Sequence, residues 1–467
     1  MNTNDQRLKM MREEKIPRVL LKMGMPTMIG MMVSALYSIA DAYYAGWLGT
    51  SQMAAVSVVF PVVQIIVGIG LTFGSGAASY ISRLLGAGEN DRANRTASTA
   101  LFSSIITGLL AIAAALCFLD NILVVLGATE TILPYARDYA VVYISGSILN
   151  IIILTMNSIV SAEGRTRLAM LSMVLSGGLN VILDPILMFT LGLGIRGAAI
   201  ATVISWTVVN VVYLWLILRK KLYLHLSLKF VTFDGTIYAE VFRTGVPILI
   251  SQLLASTALG LSNSAASDYG DSAVAAIGLV ARIMTLGTYV VFGFTKGFQP
   301  VAGYNYGAKN YARLNEAVKI SLRWTTIYGA AVALIALLIP QPIIMLFSKN
   351  DAALISIGVK ALRINGIAFL LSGFEQVYMS LFLAIGKGKE GGLLSISRQG
   401  LFFIPAILFM PAFIGIEGVM WAQPVADLFT VILTALFMNS LNKELKGVEC
   451  ESAQLNKRPE SALRVSL

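Results

Sequence analysis

The chain has 467 residues, of which 57% are hydrophobic and only 13% charged, with a formal net charge of +10. Soluble proteins have about 25% charged residues, and a soluble globule cannot hide this much apolar surface, so the composition indicates contact with lipid. A single histidine and two cysteines exclude a histidine triad, a histidine metal site and a disulfide framework.

Twelve apolar runs follow one another along the chain, each about long enough to cross a bilayer. They predict an all-α polytopic membrane protein with twelve transmembrane helices. These spans, numbered in chain order, lie near 20–46, 53–80, 97–118, 133–161, 168–191, 196–218, 241–266, 273–302, 317–340, 354–384, 393–413 and 417–440.

Lysine and arginine are concentrated in alternate loops. The segment up to Arg18, the loops after the even-numbered spans and the tail are basic, whereas the opposite side has little beyond Arg196 and Lys349. This asymmetry predicts a multi-pass protein of the cytoplasmic (inner) membrane with both termini in the cytoplasm. It also argues against nucleic acid as a partner, because the basic residues are distributed over the loops on one side of the membrane. The N-terminus is polar and basic, and no cleavable signal sequence is expected.

An internal repeat relates the two halves of the chain. At a shift of 221 residues, Gly24 and Pro26 meet Gly245 and Pro247, and similar matches continue late into each half. Six spans per half is an even number, so the halves insert in parallel as two pseudo-symmetric lobes. The predicted divisions are an N-lobe at 1–218, a linker at 219–237, a C-lobe at 238–442 and a tail at 443–467.

Such a duplication places a substrate site between the lobes near the bilayer midplane, and favours a carrier that alternates its access. Within the N-lobe, Asp41 in span 1 and Asp184 in span 5 lie deep in apolar sequence. An ionised carboxylate at a helix centre costs roughly 2.5–3.5 kcal/mol on insertion scales, so each needs a partner, a proton or a cation. Tyr37 precedes Asp41 by four residues and Asn180 precedes Asp184 by four, so each pair shares a helix face.

Pro185 follows the second of these acids directly. Because proline has no N–H, the carbonyl of Val181 is left free as a further oxygen ligand. Carboxylate, amide and carbonyl oxygens suit a hard cation, so Na⁺ is one candidate coupling ion. Proton uptake by the carboxyl groups is the alternative, and the residues leave both open.

Span 4 carries a stripe of aromatic and amide side chains at helical spacing. An inward-facing stripe of this kind suits a cavity that binds ligand, although Asn and small residues also pack membrane helices together. The stripe consists of Tyr139, Tyr143, Gly146, Asn150 and Asn157.

The second lobe has no acid at the position equivalent to Asp41, where Ser262 stands, so a cation site is expected in the N-lobe alone. Its polar residues inside spans either contact substrate or form a structural ion network, and the presence of both signs favours the network. They are Gln252, Arg282, Tyr289, Lys296, Glu375 and Asp427.

Several strings now support a family resemblance that covers essentially the whole chain. They include Tyr37-Ser-Ile-Ala-Asp41, Gly178-Leu-Asn180-Val-Ile-Leu-Asp184-Pro185 and Gly297-Phe-Gln-Pro300. In this order the chain resembles the multidrug and toxic compound extrusion (MATE) family, in its prokaryotic DinF-like branch. The resemblance implies a cation site at Asp41, Asn180, Asp184 and Thr202, with Tyr37, Tyr139 and Asn157 nearby.

The function that the resemblance implies is a secondary antiporter, coupled to Na⁺ or H⁺, that exports organic and often cationic or lipophilic compounds. No enzyme activity, cofactor or ATPase subunit is expected, since neither a catalytic constellation nor a nucleotide-binding motif is visible. The expected partners are small organic molecules and the lipid bilayer, and the protein is expected to be monomeric. The alternative is a lipid-linked precursor flippase of the same architecture, for which several cavity arginines would be expected.

Overall fold

The computed structural model describes residues 9–347 and 351–456, almost all of them helical. Within these residues, twelve long apolar helices, α1 to α12, occur in the order of the predicted spans and confirm the predicted fold class. Their bounds are Ile16–Leu48, Thr50–Ala87, Asn90–Cys117, Leu133–Ala162, Thr166–Pro185, Gly194–Leu218, Gly235–Ser267, Asp271–Gly307, Tyr311–Leu338, Ala352–Ala384, Gly388–Ile414 and Ile416–Asn456.

Tight turns recur at equivalent places in the two halves. Gly49 joins α1 to α2 with φ 125° and Gly270 joins α7 to α8 with φ 91°, and the two glycines are one repeat apart. Only glycine adopts these positive φ values without strain, so the same turn is built twice from the same residue type. The backbone therefore preserves the duplication that the sequence predicted.

The two halves contact each other along their common axis. Helix α1 packs on α8 and α7 packs on α2, while α2 and α8 cross each other. At this crossing a Cβ on Gly86 would lie 2.0 Å from the carbonyl oxygen of Tyr304, and one on Gly307 would lie 2.0 Å from that of Arg83. The two contacts are equivalent by the repeat, because Gly86 corresponds to Gly307 and Arg83 to Tyr304. Only glycine permits such close approaches.

Polar contacts join the lobes near the C-terminal ends of α2 and α8, which is the predicted cytoplasmic end. Arg83 donates to Glu240 of α7 at 2.5 Å between Nη2 and Oε2. Ser79 Oγ donates to the carbonyl oxygen of Leu383 at the end of α10. The close approaches between the lobes thus lie in the C-terminal halves of α2 and α8.

The segment between α6 and α7 is anchored to the N-lobe rather than extended away from it. Glu163 accepts hydrogen bonds from the backbone N–H groups of Tyr223 and Leu224, and Asn94 accepts one from that of His225. Asp234 then caps α7 by accepting from the N–H of Thr236, and this bond holds the pKa of Asp234 below its usual range. Helix α7 begins at Gly235, two residues before the predicted end of the linker.

Two helices depart from regular α geometry. Helix α5 ends at Pro185 and continues as a π-helical turn over Ile186–Thr190. Helix α11 consists of Gly388–Ile396, a π-helical segment over Ser397–Phe403 and a last part over Ile404–Ile414. Such π segments often accompany functional sites because they shift the side chains that follow onto a different face.

Candidate functional site

The N-lobe brings together three of the predicted cation-site residues. Asn180 Nδ2 donates to Asp184 Oδ1 at 3.1 Å and to Thr202 Oγ1 at 3.1 Å. The first contact joins residues one helical turn apart on α5, and the second joins α5 to α6. Thr202 Oγ1 in turn donates to the carbonyl oxygen of Ala198 at 3.0 Å. The hydroxyl and the amide are therefore fixed in orientation by the carboxylate and the α6 backbone.

Two oxygen atoms of this group have no hydrogen-bond donor. Asp184 is fully buried and Asn180 is 97% buried, yet Asp184 Oδ2 and Asn180 Oδ1 find no partner among the described residues. Buried acceptors without donors are costly, and a cation or a proton would satisfy them. All the donor atoms here are oxygens, which are the ligands that a hard monovalent cation prefers. The residues thus fit the coupling ions predicted from the sequence.

Asp41 lies on α1, which packs against α5. It is half-buried and, within the described residues, forms no hydrogen bond or ion pair. Tyr37, one turn before it, lies against Gly177 of α5, and Asp41 is near enough to Asp184 and Tyr139 for its charge to act on both. Helices α1, α4 and α5 therefore bring two acids and two tyrosines into one neighbourhood, as predicted for the cation site.

The aromatic stripe of α4 divides into two environments. Tyr139 stacks on Tyr143, with ring centroids 5.4 Å apart, and Tyr143 meets the edge of Trp206 from α6. These rings pack beside the acids, and Asn150, half-buried, follows them along α4. Tyr139 and Tyr143 thus form an aromatic surface next to the carboxylates of Asp41 and Asp184.

Asn157 belongs to a separate group. Its Oδ1 accepts from Ser172 Oγ at 2.5 Å and from the hydroxyl of Tyr213. Ser172 precedes Asp184 by more than three helical turns on α5, so this contact lies well away from the acids. Its oxygen is already occupied by two donors, and Asn157 therefore joins α4, α5 and α6 instead of adding an oxygen to the cation site.

The C-lobe contains a buried ion cluster made by Glu375, Arg398, Gln423 and Asp427. Arg398 Nε lies 2.9 Å from Asp427 Oδ1 and 3.3 Å from Glu375 Oε2, and Gln423 donates to Asp427. Both acids are 97% buried. Of the two roles considered for Glu375, contact with substrate or membership of a structural ion network, its position beside Arg398 fits the second.

The sequence pattern did not lead us to the basic residue that pairs with these two acids. Arg282 and Lys296 were the basic residues considered, whereas Arg398 supplies the charge. The signal was present, because Arg398 is a basic residue inside the eleventh apolar run, between spans that each carry one acid. The π segment that contains Arg398 brings its side chain to α10 and α12.

Lys296 lies where the lobes meet. Its Nζ donates to Ser75 Oγ of α2 at 3.0 Å and lies 5.3 Å from the ring centroid of Phe292. Ser75 and Lys296 are exactly equivalent positions of the repeat, so the pseudo-twofold axis passes between them. Gln252 is half-buried on α7 and Arg282 is exposed on α8.

Comparison with known proteins agrees with this architecture. The MatE family profile matches residues 26–186 and 247–408, two segments that begin 221 residues apart and end 222 apart. The multidrug export protein MepA of Staphylococcus haemolyticus (strain JCSC1435) is 27% identical over 442 residues, covering 94% of this chain and 97% of the relative. MepA of Staphylococcus aureus (strain MRSA252) is 28% identical over 443 residues, with the same coverage.

Solved structures are similar over the same extent. A MATE protein in complex with MaL6 superposes with a TM-score of 0.90 at 28% identity, covering 96% of this chain and 100% of that one. The outward-facing conformation of a multidrug resistance MATE transporter of the MOP superfamily also gives 0.90 at 28% identity, covering 96% and 99%. The family profile matches both halves of this multi-pass membrane protein, so the chain belongs to the MatE family of membrane transporters.

Proposed function

We propose that this transporter is a cation-coupled antiporter that exports organic, often cationic or lipophilic, compounds across the cytoplasmic membrane. The observation that carries the proposal is the pair of buried acceptor oxygens, Asp184 Oδ2 and Asn180 Oδ1, which have no donor among the described residues and lie beside Asp41. The export of drugs by relatives that span the same length supports the choice of substrate.

The coupling ion, Na⁺ or H⁺, enters from outside and satisfies these oxygens. Its charge offsets the repulsion between Asp41 and Asp184, which changes how α1 and α5 pack within the N-lobe. Coupling requires only that the ion and the organic compound prefer different conformations of the lobes. One charge moving across 100 mV supplies about 2.3 kcal/mol before any concentration gradient is counted.

A lipid-linked precursor flippase is the other function open to this architecture. It would need a basic cavity to hold a pyrophosphate, and Arg398, the buried arginine of the C-lobe, is already neutralised by Glu375 and Asp427. The acidic residues of the N-lobe instead favour the handling of a cation.

The test is efflux of a fluorescent organic cation from proteoliposomes, with Na⁺ and H⁺ gradients imposed separately. Asp184→Asn places an amide donor where an acceptor is needed, so gradient-driven efflux is expected to fall at least tenfold. Asp120→Asn, an exposed acid outside the spans, serves as the matched control and should transport like wild type. Undiminished gradient-driven efflux in Asp184→Asn would refute the proposed coupling site. Absence of efflux for several cations, with flipping of a lipid-linked substrate, would favour the flippase.

A further inference from the structure

The buried ion cluster of the C-lobe contains more negative than positive charge. Its two carboxyl groups, Glu375 of α10 and Asp427 of α12, are each 97% buried, and Arg398 of α11 is the one cation that pairs with them among the described residues. With both acids ionised, the cluster keeps one net negative charge inside the membrane-spanning part of the lobe. Such a charge is costly, and a further cation or a proton removes the cost.

Hydrogen bonds distinguish the two acids. Asp427 Oδ1 accepts from Arg398 Nε at 2.9 Å and from Gln423 Nε2 at 2.6 Å, and Asp427 Oδ2 accepts from Arg398 Nη2 at 3.5 Å. Neither oxygen of Glu375 accepts a hydrogen bond among the described residues, and Arg398 Nε lies 3.3 Å from Glu375 Oε2. Because donors stabilise the ionised form of a carboxyl group, Asp427 is the acid that keeps its charge.

The helices packed along α10 bring no further cation to Glu375. On α9, the uncharged Thr325 lies against the turn of α10 that precedes Glu375. On α8, Lys296 donates to α2 and forms no ion pair with Glu375. The charged groups that act on Glu375 are Arg398 and Asp427. Within residues 9–347 and 351–456, no three His, Cys, Asp or Glu side chains come together as ligands of a metal ion would.

We propose that Glu375 binds a proton, which makes the C-lobe cluster a protonation site separate from the coupling site proposed for the N-lobe. The proton removes the net charge and leaves Arg398 paired with the one ionised acid, Asp427. A second metal cation is disfavoured in this place, because the guanidinium already lies beside Oε2 and would repel it. The inference concerns the C-lobe alone and stands or falls independently of the proposed antiport.

The pH dependence of stability tests for this proton. The folded protein holds a proton that the unfolded chain releases above about pH 5, so stability falls as the pH rises. Glu375→Gln has the shape of the protonated acid and needs no proton. In detergent its Tm is expected to equal the wild-type value near pH 5 and to exceed it by about 3–5 °C at pH 8. Acids elsewhere in the chain contribute equally to both proteins and cancel in this comparison.

Asp427→Asn is the matched substitution at the other acid. It weakens the hydrogen bonds that Arg398 and Gln423 donate to an ionised acceptor, so its Tm is expected to lie about 3–6 °C below that of wild type at pH 7. Wild-type and Glu375→Gln Tm values that change in parallel with pH would overturn the inference. A loss of Tm in Glu375→Gln as large as that in Asp427→Asn would overturn it as well.

Infrared spectroscopy provides a second readout, which does not depend on unfolding. The difference spectrum of wild type minus Glu375→Gln at neutral pH is expected to contain the carbonyl band of a protonated carboxyl group, and its absence would refute the proposed protonation. Replacing choline chloride by NaCl at constant ionic strength should shift the Tm of both proteins equally. A larger rise in wild type than in Glu375→Gln would assign the place to a metal ion and overturn the inference.

Discussion

At the scale of single residues, the two lobes differ in whether a cationic side chain accompanies their buried acids. In the C-lobe, Glu375 and Asp427 share the single cation Arg398, and the oxygens of Glu375 accept no hydrogen bond among the described residues. In the N-lobe, the acids have only an amide, hydroxyls and each other, and two oxygens stay without donors. Acids paired with a fixed cation have less need of an ion from outside than acids that have no cation beside them. Because its acids have no cationic side chain beside them, the N-lobe is where the proposed coupling ion is expected to bind.

The C-lobe cluster predicts a large effect on stability. Arg398→Met leaves two buried carboxylates without their cation, and breaking such a pair costs about 3–5 kcal/mol. Thermal unfolding of the purified protein in detergent should therefore show a clearly lowered Tm. Arg282→Met is the matched control, because Arg282 is exposed and forms no ion pair among the described residues; its Tm should equal that of wild type. Equal Tm values for both variants would contradict the assignment.

Part of the candidate site could be predicted from the sequence, but the contacts between helices could not. The spacing of Asn180 and Asp184 predicted a shared face, and the structure gives the hydrogen bond within it. The positions of Asn157 and Arg398 depend on which faces of neighbouring helices meet. For Arg398 a π segment also changes the helical register, which no periodic pattern along a single helix reveals.

At the scale of helices, glycine controls how closely the lobes approach. The crossing of α2 and α8 brings Gly86 against the backbone of Tyr304, and a rigid carbonyl cannot move aside as a flexible side chain can. The equivalent contact of Gly307 with Arg83 doubles the effect. The crossing thus acts as a close-packed joint near the predicted cytoplasmic end of the lobe interface.

A single methyl group should disturb this joint. Gly86→Ala places a Cβ 2.0 Å from the carbonyl oxygen of Tyr304, so the helices must separate, and overpacking of this kind costs about 1–3 kcal/mol. The expected result is a lowered Tm in detergent. Gly260→Ala on α7 is the control, since a Cβ there meets nothing within 4 Å and should leave the Tm unchanged or slightly raised. A Gly86→Ala protein as stable as the control would argue against tight crossing.

At the scale of the whole molecule, duplication explains most of what could be predicted. Apolar run length gave twelve spans, and the shift of 221 residues gave two lobes whose turns at Gly49 and Gly270 match. The contacts of α1 with α8 and of α7 with α2 could not be predicted, because a repeat specifies which residues are equivalent and leaves open which helices they contact. The Ser75–Lys296 contact on the axis belongs to the crossing of α2 and α8 and could not be predicted for the same reason.

The predicted orientation in the membrane has a direct test. In a protein with Cys117→Ser and Cys450→Ser, Lys229→Cys lies in the loop between α6 and α7, and Glu130→Cys lies between α3 and α4; both positions are exposed. With both termini in the cytoplasm, a membrane-impermeant maleimide should label Glu130→Cys in intact cells and Lys229→Cys only after the membrane is opened. The reverse pattern would invert the proposed topology.

The central claim is that an inward cation flux and an outward flux of organic compound share the residues around Asp184. Coupling is reciprocal, so a gradient of the organic compound must also drive movement of the ion. The claim can therefore be tested by measuring ion movement. Proteoliposomes loaded with a fluorescent organic cation, and with no ion gradient imposed, should take up ²²Na⁺ or protons as the dye leaves. Asp184→Asn should abolish that uptake. Dye efflux from wild type without movement of either ion would contradict the account.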